Sequence, residues 1–454
     1  MMGAAISRWT MSYFAAALVF LIAAEGLMVA GYGFPAAPME APETLVLVHM
    51  VTIGWLSLLM CGALFQFVPV LVATPLRYPA LVLPAFVLLL TGLGCLLGGF
   101  LQLAGSFDAD LPLLAMAGVF LPSGFALAVW VIAVTLWAGR PLALPARFVA
   151  VGLFAVVVVA MLGASFAFVL SGTSPFDPLI ELRPHILTIH VAIGFGGWLG
   201  FTAIGVSYRL LPMFMLSPES ERSTAYWVWW CGSAALLLIA LIVPATLLLA
   251  VGTGPVITVA CLLAFLALGL YAADLTFFYR HRRRRTIELN SSAALGAFAM
   301  LYLAVLLFAA LLLTGTLEQH VGALIHLIAF GWLTGLGLSQ LYKIVPFLTW
   351  LECYGPVMGR QPTPRVQDMV VEKRDMPWFA VYFLGVLVCT AALLADQPTL
   401  FRILALMPLM ATVAIVVELI GARRLSNIAA ERRLPPGTMQ PRLFLPPTLN
   451  WRRS

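Results

Sequence analysis

A chain of 454 residues with 62% apolar and only 10% charged side chains carries more hydrophobic surface than a soluble core of that size can enclose, so a water-soluble domain is excluded. The net charge of +6 sits almost entirely in alternate loops, which argues for membrane topology and against a nucleic-acid partner. Six scattered Cys, with no C-x-x-C and no C-x-x-C-H, give no support to a disulfide framework, a zinc ribbon or covalent heme attachment.

Apolar runs long enough to cross a hydrocarbon core of ~30 Å at 1.5 Å per residue predict twelve transmembrane helices. The expected fold is all-α and polytopic, a single integral membrane domain over 1–454. The first helix, 11–31, begins after Arg8 and carries Glu25; its run is too long, and lacks the A-x-A-like site, for a cleaved signal. The second, 44–73, holds His49, Gly54-Trp55-Leu56, Phe65-Gln66 and Pro69. Helices at 79–104, 111–138 and 146–172 follow. The sixth, 184–215, is entered from Arg183 and holds His185, His190, Gly197-Trp198-Leu199, Tyr208-Arg209 and Pro212. Helices at 224–251 and 255–280 lead to the basic run RHRRRR at 280–285, a cluster that suits lipid headgroups and leaves His281 solvated. After 290–315, the tenth helix, 318–350, holds His320, His326, Gly331-Trp332-Leu333, Tyr342-Lys343 and Pro346, the Pro being expected to close it. A loop at 351–376, helices at 377–395 and 399–421 with Arg402 and Glu418, and a basic tail at 422–454, expected along the membrane surface, complete the chain.

The second, sixth and tenth helices therefore repeat one ordered pattern, His, Gly-Trp-Leu, aromatic-polar pair and Pro, with an identical spacing from Trp to Pro. Repetition at such a long period marks duplicated units, here four helices each, so a pseudo-threefold arrangement around one centre is expected. The basic loops share one side with both termini. By the positive-inside rule that side is cytoplasmic, including the 351–376 loop and the tail, while Glu40, Asp108, Asp110, Asp177 and Glu318 face outward. The three repeated helices then run from outside to inside. Five of the six His, namely His49, His185, His190, His320 and His326, fall in the outer half of the bilayer.

An imidazole inside a membrane is costly unless paired, hydrated or bound to metal. Any one of these five is as readily an interhelical hydrogen-bonding group as a ligand. Five at matched depth, without nearby acidic partners, favour metal or heme ligation. Trp55, Trp198 and Trp332 lie too deep for an interfacial belt and are expected to pack the threefold centre. Glu25, Asp274 and Glu418 read as interhelical hydrogen-bonding groups, and Arg209 and Lys343 as side chains that snorkel toward the surface.

The same residues resemble subunit I of the heme-copper oxidase superfamily, especially its C-type members. The closest match is H-x4-G-W running to a Tyr-containing I/V-P end, met by His326, Gly331, Trp332, Tyr342 and Pro346. The resemblance implies that His326 ligates a low-spin heme b, with His49 as its second axial ligand. His190 with Gly194-Phe195 resembles the family's H-x3-G-F, whose His belongs to a copper site. Arg183 and Arg402 would then be partners for heme propionates. Two departures stand out. Leu324 occupies the place of the active-site heme ligand, His320 being displaced from it, and the seventh helix has no His where a copper-binding pair is expected. His185 and His190 differ by about 140° around a helix, and His320 and His326 by about 120°, so neither pair clamps one small ion. The heme-containing membrane proteins of nitric-oxide response are the more natural comparison.

The expected protein is thus a heme b-binding bacterial-type inner-membrane protein in respiratory electron transfer or nitric-oxide or other small-gas response, without dioxygen reductase activity. Copper is a further candidate cofactor. Its expected partners are the lipid bilayer, other respiratory-chain subunits and a cytochrome or quinol donor. The alternative is a copper or heme transporter, or an assembly factor for a respiratory oxidase.

Overall fold

The computed structural model describes residues 9–107, 111–173, 183–218 and 222–445. Among these residues, twelve helices are long and apolar enough to cross a membrane. They are α1 (Thr10–Ala30), α2 (Pro42–Leu71), α3 (Pro79–Leu103), α4 (Leu113–Ala138), α5 (Leu144–Leu170), α6 (His185–Met215), α7 (Ser223–Leu248), α8 (Gly254–Arg280), α9 (Leu289–Thr314), α10 (Leu317–Val357), α11 (Glu372–Leu394) and α12 (Pro398–Arg423). The protein is an all-α polytopic membrane protein, and a lipid bilayer is its surroundings. Helices are the physical answer to such a composition, because in hydrocarbon every backbone N–H and C=O must be bonded within its own segment.

The chain forms two compact units. Met1–Ala63 and Glu288–Ser454 make the first, and Leu64–Ile287 makes the second. Helices α2 and α10 of the repeat lie mainly in the first unit, and α6 lies in the second.

Close helix approach in lipid depends on small residues, since apolar helices gain nothing by leaving apolar solvent. In the first unit, a Cβ on Gly54 would stand 2.6 Å from Phe20 of α1, and one on Gly335 2.6 Å from Phe383 of α11. In the second, a Cβ on Gly205 of α6 would stand 2.2 Å from Cβ of Phe148 on α5. The three repeated tryptophans are interior side chains, Trp55 fully buried and Trp198 and Trp332 nearly so.

Pro346 does not close its helix, which continues through the FLTWLECY segment. Pro69 and Pro212 likewise lie inside theirs. An interior Pro forfeits one backbone bond, but apolar surroundings make unwinding the flanking turns costlier still. The segment after α10 is ordered by polar contacts. Trp350 Nε1 donates to the Pro364 carbonyl at 2.6 Å, and Gln367 donates to Glu288 at 2.6 Å. Helix α11 starts five residues before Pro377, with Glu372 and Asp375 in its first turn, where acidic groups suit the helix dipole.

The described part of the tail is held by polar contacts. Arg423 ion-pairs with Glu352 at 2.8 Å and donates to the carbonyls of Leu443 and Arg442, while Ser12 donates to the Phe444 carbonyl at 2.7 Å. Tyr354 reaches the Arg433 carbonyl at 2.6 Å. The described part of the tail is thus tied to the ends of α1, α10 and α12, because Arg423, 4% exposed, must find acceptors and the returning chain supplies them.

Candidate histidine site

Each copy of the repeated motif contains a π-helical stretch. These run over Met50–Ser57, Ile193–Phe201 and Leu327–Thr334, and each covers its Gly-Trp-Leu triplet. A π turn widens the helix and offsets its carbonyls, a distortion frequent at functional sites. Two copies stabilise it in the same way. Ser57 Oγ donates to the Thr52 carbonyl at 2.7 Å, and Thr334 Oγ1 to the Ala329 carbonyl at 2.8 Å, in each case one π turn back. In the third copy the corresponding residue is Gly200.

Thr334 also accepts the indole N–H of Trp55 at 2.8 Å, and Gly337 faces Leu59. These two contacts ascend both helices together, so α2 and α10 lie side by side and parallel within the first unit. The contact offset, 279 residues for Trp55 with Thr334, is close to the separation of His49 from His326 in sequence. The two His therefore lie at nearly the same depth, within ~3 Å along the axes.

His326 ends the α-helical part of α10 and is 6% exposed. Its Nδ1 lies 3.1 Å from Thr390 Oγ1 of α11, and that hydroxyl donates its single proton to the Val386 carbonyl at 2.9 Å. Nδ1 must then carry the ring proton. The Nε2 lone pair is buried and, among the described residues, without a hydrogen-bond partner. A second proton there would find no acceptor, so the ring is neutral. Phe330 stacks on it at 5.0 Å and Phe401 meets it edge-on at 5.6 Å, walls that keep water away. The Nδ1 of His49 bonds the Leu45 carbonyl at 2.8 Å, and a carbonyl only accepts, so Nδ1 carries a proton there as well.

Arg402 follows Phe401 directly and is exposed; its Nε donates to the Val29 carbonyl at 2.9 Å, closing the end of α1. The side chain of Arg183 lies outside the described residues. His320 is half-buried one to two turns from His326 on the same helix. His190 is half-buried in the second unit, edge-on to Phe166 at 5.7 Å, and His185 is exposed nearby on the same helix. Among the described residues, no three His, Cys, Asp or Glu side chains converge as a metal site.

The polar pair of the motif anchors both units. Tyr342 donates to Asp375 at 2.6 Å beside Arg374, and Arg374 pairs with Glu418. Tyr208 donates to Asp274 at 2.8 Å, and Asp274 pairs with Arg222 at 2.9 Å. Lys343 is bound to Glu288, at the start of α9, at 2.6 Å. Glu25, 1% exposed, accepts from Thr412 of α12 at 3.0 Å through one oxygen, while the other has no partner among the described residues.

Thr390, Phe330, Phe401, Ser57 and Thr334 escaped the sequence reading. Only Ser57 and Thr334 left a trace, as hydroxyl residues two places after the repeated Trp. Fold and site together define a multi-pass helical membrane protein with a buried imidazole presenting an unshared nitrogen. No family model matches the chain, and comparison with curated proteins returns no match.

Proposed function

We propose that this chain binds a b-type heme through His49 and His326 and works in respiratory electron transfer or in the response to nitric oxide or another small gas. It would be a divergent relative of heme-copper oxidase subunit I. The observation that carries the reading is the bare, buried Nε2 of His326. Leaving such a nitrogen unpaired costs roughly 1–3 kcal/mol, a cost that ligation removes.

The residues fit an axial-ligand role. Metal-bound His commonly donates its other nitrogen to a neighbouring oxygen, which fixes the tautomer, and here the Thr390 hydroxyl and the Leu45 carbonyl take those protons. Phe330 and Phe401 limit water beside His326. Arg402, whose Nε is engaged on Val29, has further N–H groups of the kind that suit a propionate. When bound, the heme would supply a one-electron iron couple. The chain's own residues would orient both imidazoles and keep His326 neutral and dry. Copper fits less well, because three nitrogen or sulfur donors do not converge among the described residues.

In this reading both termini would face the cytoplasm from a bacterial-type inner membrane, an orientation the basic loops support, and a cytochrome or quinol would be the electron donor. Metal analysis of the purified protein, with a test for extractable heme, decides between this and a copper-transit or assembly role. The expectation is iron as non-covalent heme without stoichiometric copper. Copper without heme would overturn it.

A further inference from the structure

We infer that the groove between α7 and α8 in the second unit is a binding site for one anionic phospholipid, with its phosphate at Arg147 and Arg222 and an acyl chain along Trp227 and Trp230. The inference is independent of the heme reading. The groove is lined by Ser223, Tyr226, Trp227, Trp230 and Ala234 of α7 and Leu263 of α8. Its walls are almost wholly apolar, and it opens to the surface of the chain. Trp227 and Trp230, three residues apart on one face, are 60% and 59% exposed. Such large, rigid side chains, left uncovered by protein, present flat walls to hydrocarbon.

Length and charge identify the occupant. From Ser223 to Ala234 the groove follows α7 for eleven residues, ~16 Å. That matches half of a ~30 Å hydrocarbon core, the depth of one leaflet. The Ser223 end is polar, and its arginines, Arg147, Arg222 and the run Arg282 to Arg285, outnumber the acidic Glu219, Glu221 and Asp274. Arg222 precedes the groove and lies over Phe277 at 4.3 Å, with its Nε on Asp274 and its exposure only partial. Arg147 of α5 faces the Tyr226 ring at 6.0 Å. The run Arg282 to Arg285 follows α8 at the same end. A hydroxyl, a phenol and guanidinium groups at the mouth of a leaflet-deep apolar groove suit a phosphate with a net negative charge. A zwitterionic headgroup would bring its own cation into the basic cluster.

Tryptophan quenching by lipids with dibrominated acyl chains tests the assignment. The full-length protein is titrated in mixed micelles with brominated phosphatidylglycerol or brominated phosphatidylcholine. We expect phosphatidylglycerol to produce a saturable component at several-fold lower mole fraction than phosphatidylcholine. Arg147→Gln should weaken that preference about fivefold, the effect of one basic residue near a charged headgroup. The double variant Trp227→Leu, Trp230→Leu should lose the saturable component; both indoles are exposed, so its thermal unfolding should match that of the parent. Arg222 is left intact because it pairs with Asp274. Equal curves for the two lipids would overturn the proposal, as would selectivity that survives in the double variant. Loss of selectivity on adding inorganic phosphate would also overturn it, by showing a free-anion site. Should the double variant unfold, Arg147→Gln decides, and an unchanged preference there refutes the site.

Discussion

The proton on His326 Nδ1 is assigned by a chain of obligations. Val386 can only accept, Thr390 has one proton to give, and the imidazole must supply the next. Thr390→Val should therefore keep the fold but free the ring to rotate, lowering heme affinity by about 10- to 100-fold, the usual effect of losing a partner of a metal ligand. Heme titration of the apoprotein measures this, and unchanged affinity would remove Thr390 from the account. Glu25→Gln makes a contrasting case. The carboxyl has one hydrogen bond and no cationic partner among the described residues, so a neutral amide removes a buried group that is costly to ionise and should leave the melting temperature unchanged or raised. A fall of several degrees would show that an ionised Glu25 is held by a partner. The histidines were legible as intramembrane polar residues on the repeated helices, and Arg402 as a basic residue near the outer face on the twelfth. Thr390, Phe330 and Phe401 were not, because two of them come from other helices and nothing in an apolar run announces which side chain will face an imidazole.

Among the elements, the repeated helices carry more than the sequence pattern suggests. Hydrophobic runs gave the number and approximate limits of the spans, since length and composition determine those. The π stretches were illegible, because an apolar segment without a polar face gives no period to distinguish one turn width from another. The repeat did mark their position, the same Gly-Trp-Leu triplet in each copy. Helix ends were misread at Pro346 and Pro377, where neighbouring helices and polar contacts outweigh the lost backbone bond. Thr334 joins α2 to α10 and also bonds a π-turn carbonyl, so Thr334→Val should cost about 1–3 kcal/mol by stranding the Trp55 N–H, while Thr334→Ser should be far milder. Gly205→Ala should destabilise the second unit by about 1–3 kcal/mol, since its Cβ would meet that of Phe148. Thermal unfolding in detergent checks both, and parent-like stability of Gly205→Ala would contradict the packing of α5 on α6.

For the whole molecule, twelve apolar helices define a membrane protein, and the histidines give the proposal its chemistry. Reduction of dioxygen to water needs an open heme position faced by a second redox metal, with about three nitrogen ligands to hold it. The seventh helix contributes no His, so we predict no sustained oxygen consumption by purified protein supplied with a competent reductant. An oxygen electrode measures it, and turnover abolished by His190→Ala would show a working copper site built from fewer ligands. The central claim, two axial imidazoles on one heme, is tested most directly by the reduced-minus-oxidised spectrum of the parent protein beside His49→Ala and His326→Ala. The account predicts a six-coordinate heme b signal in the parent that is lost in each variant, because one imidazole cannot fill both axial positions. A parent without heme, or a six-coordinate signal retained in either variant, would contradict it.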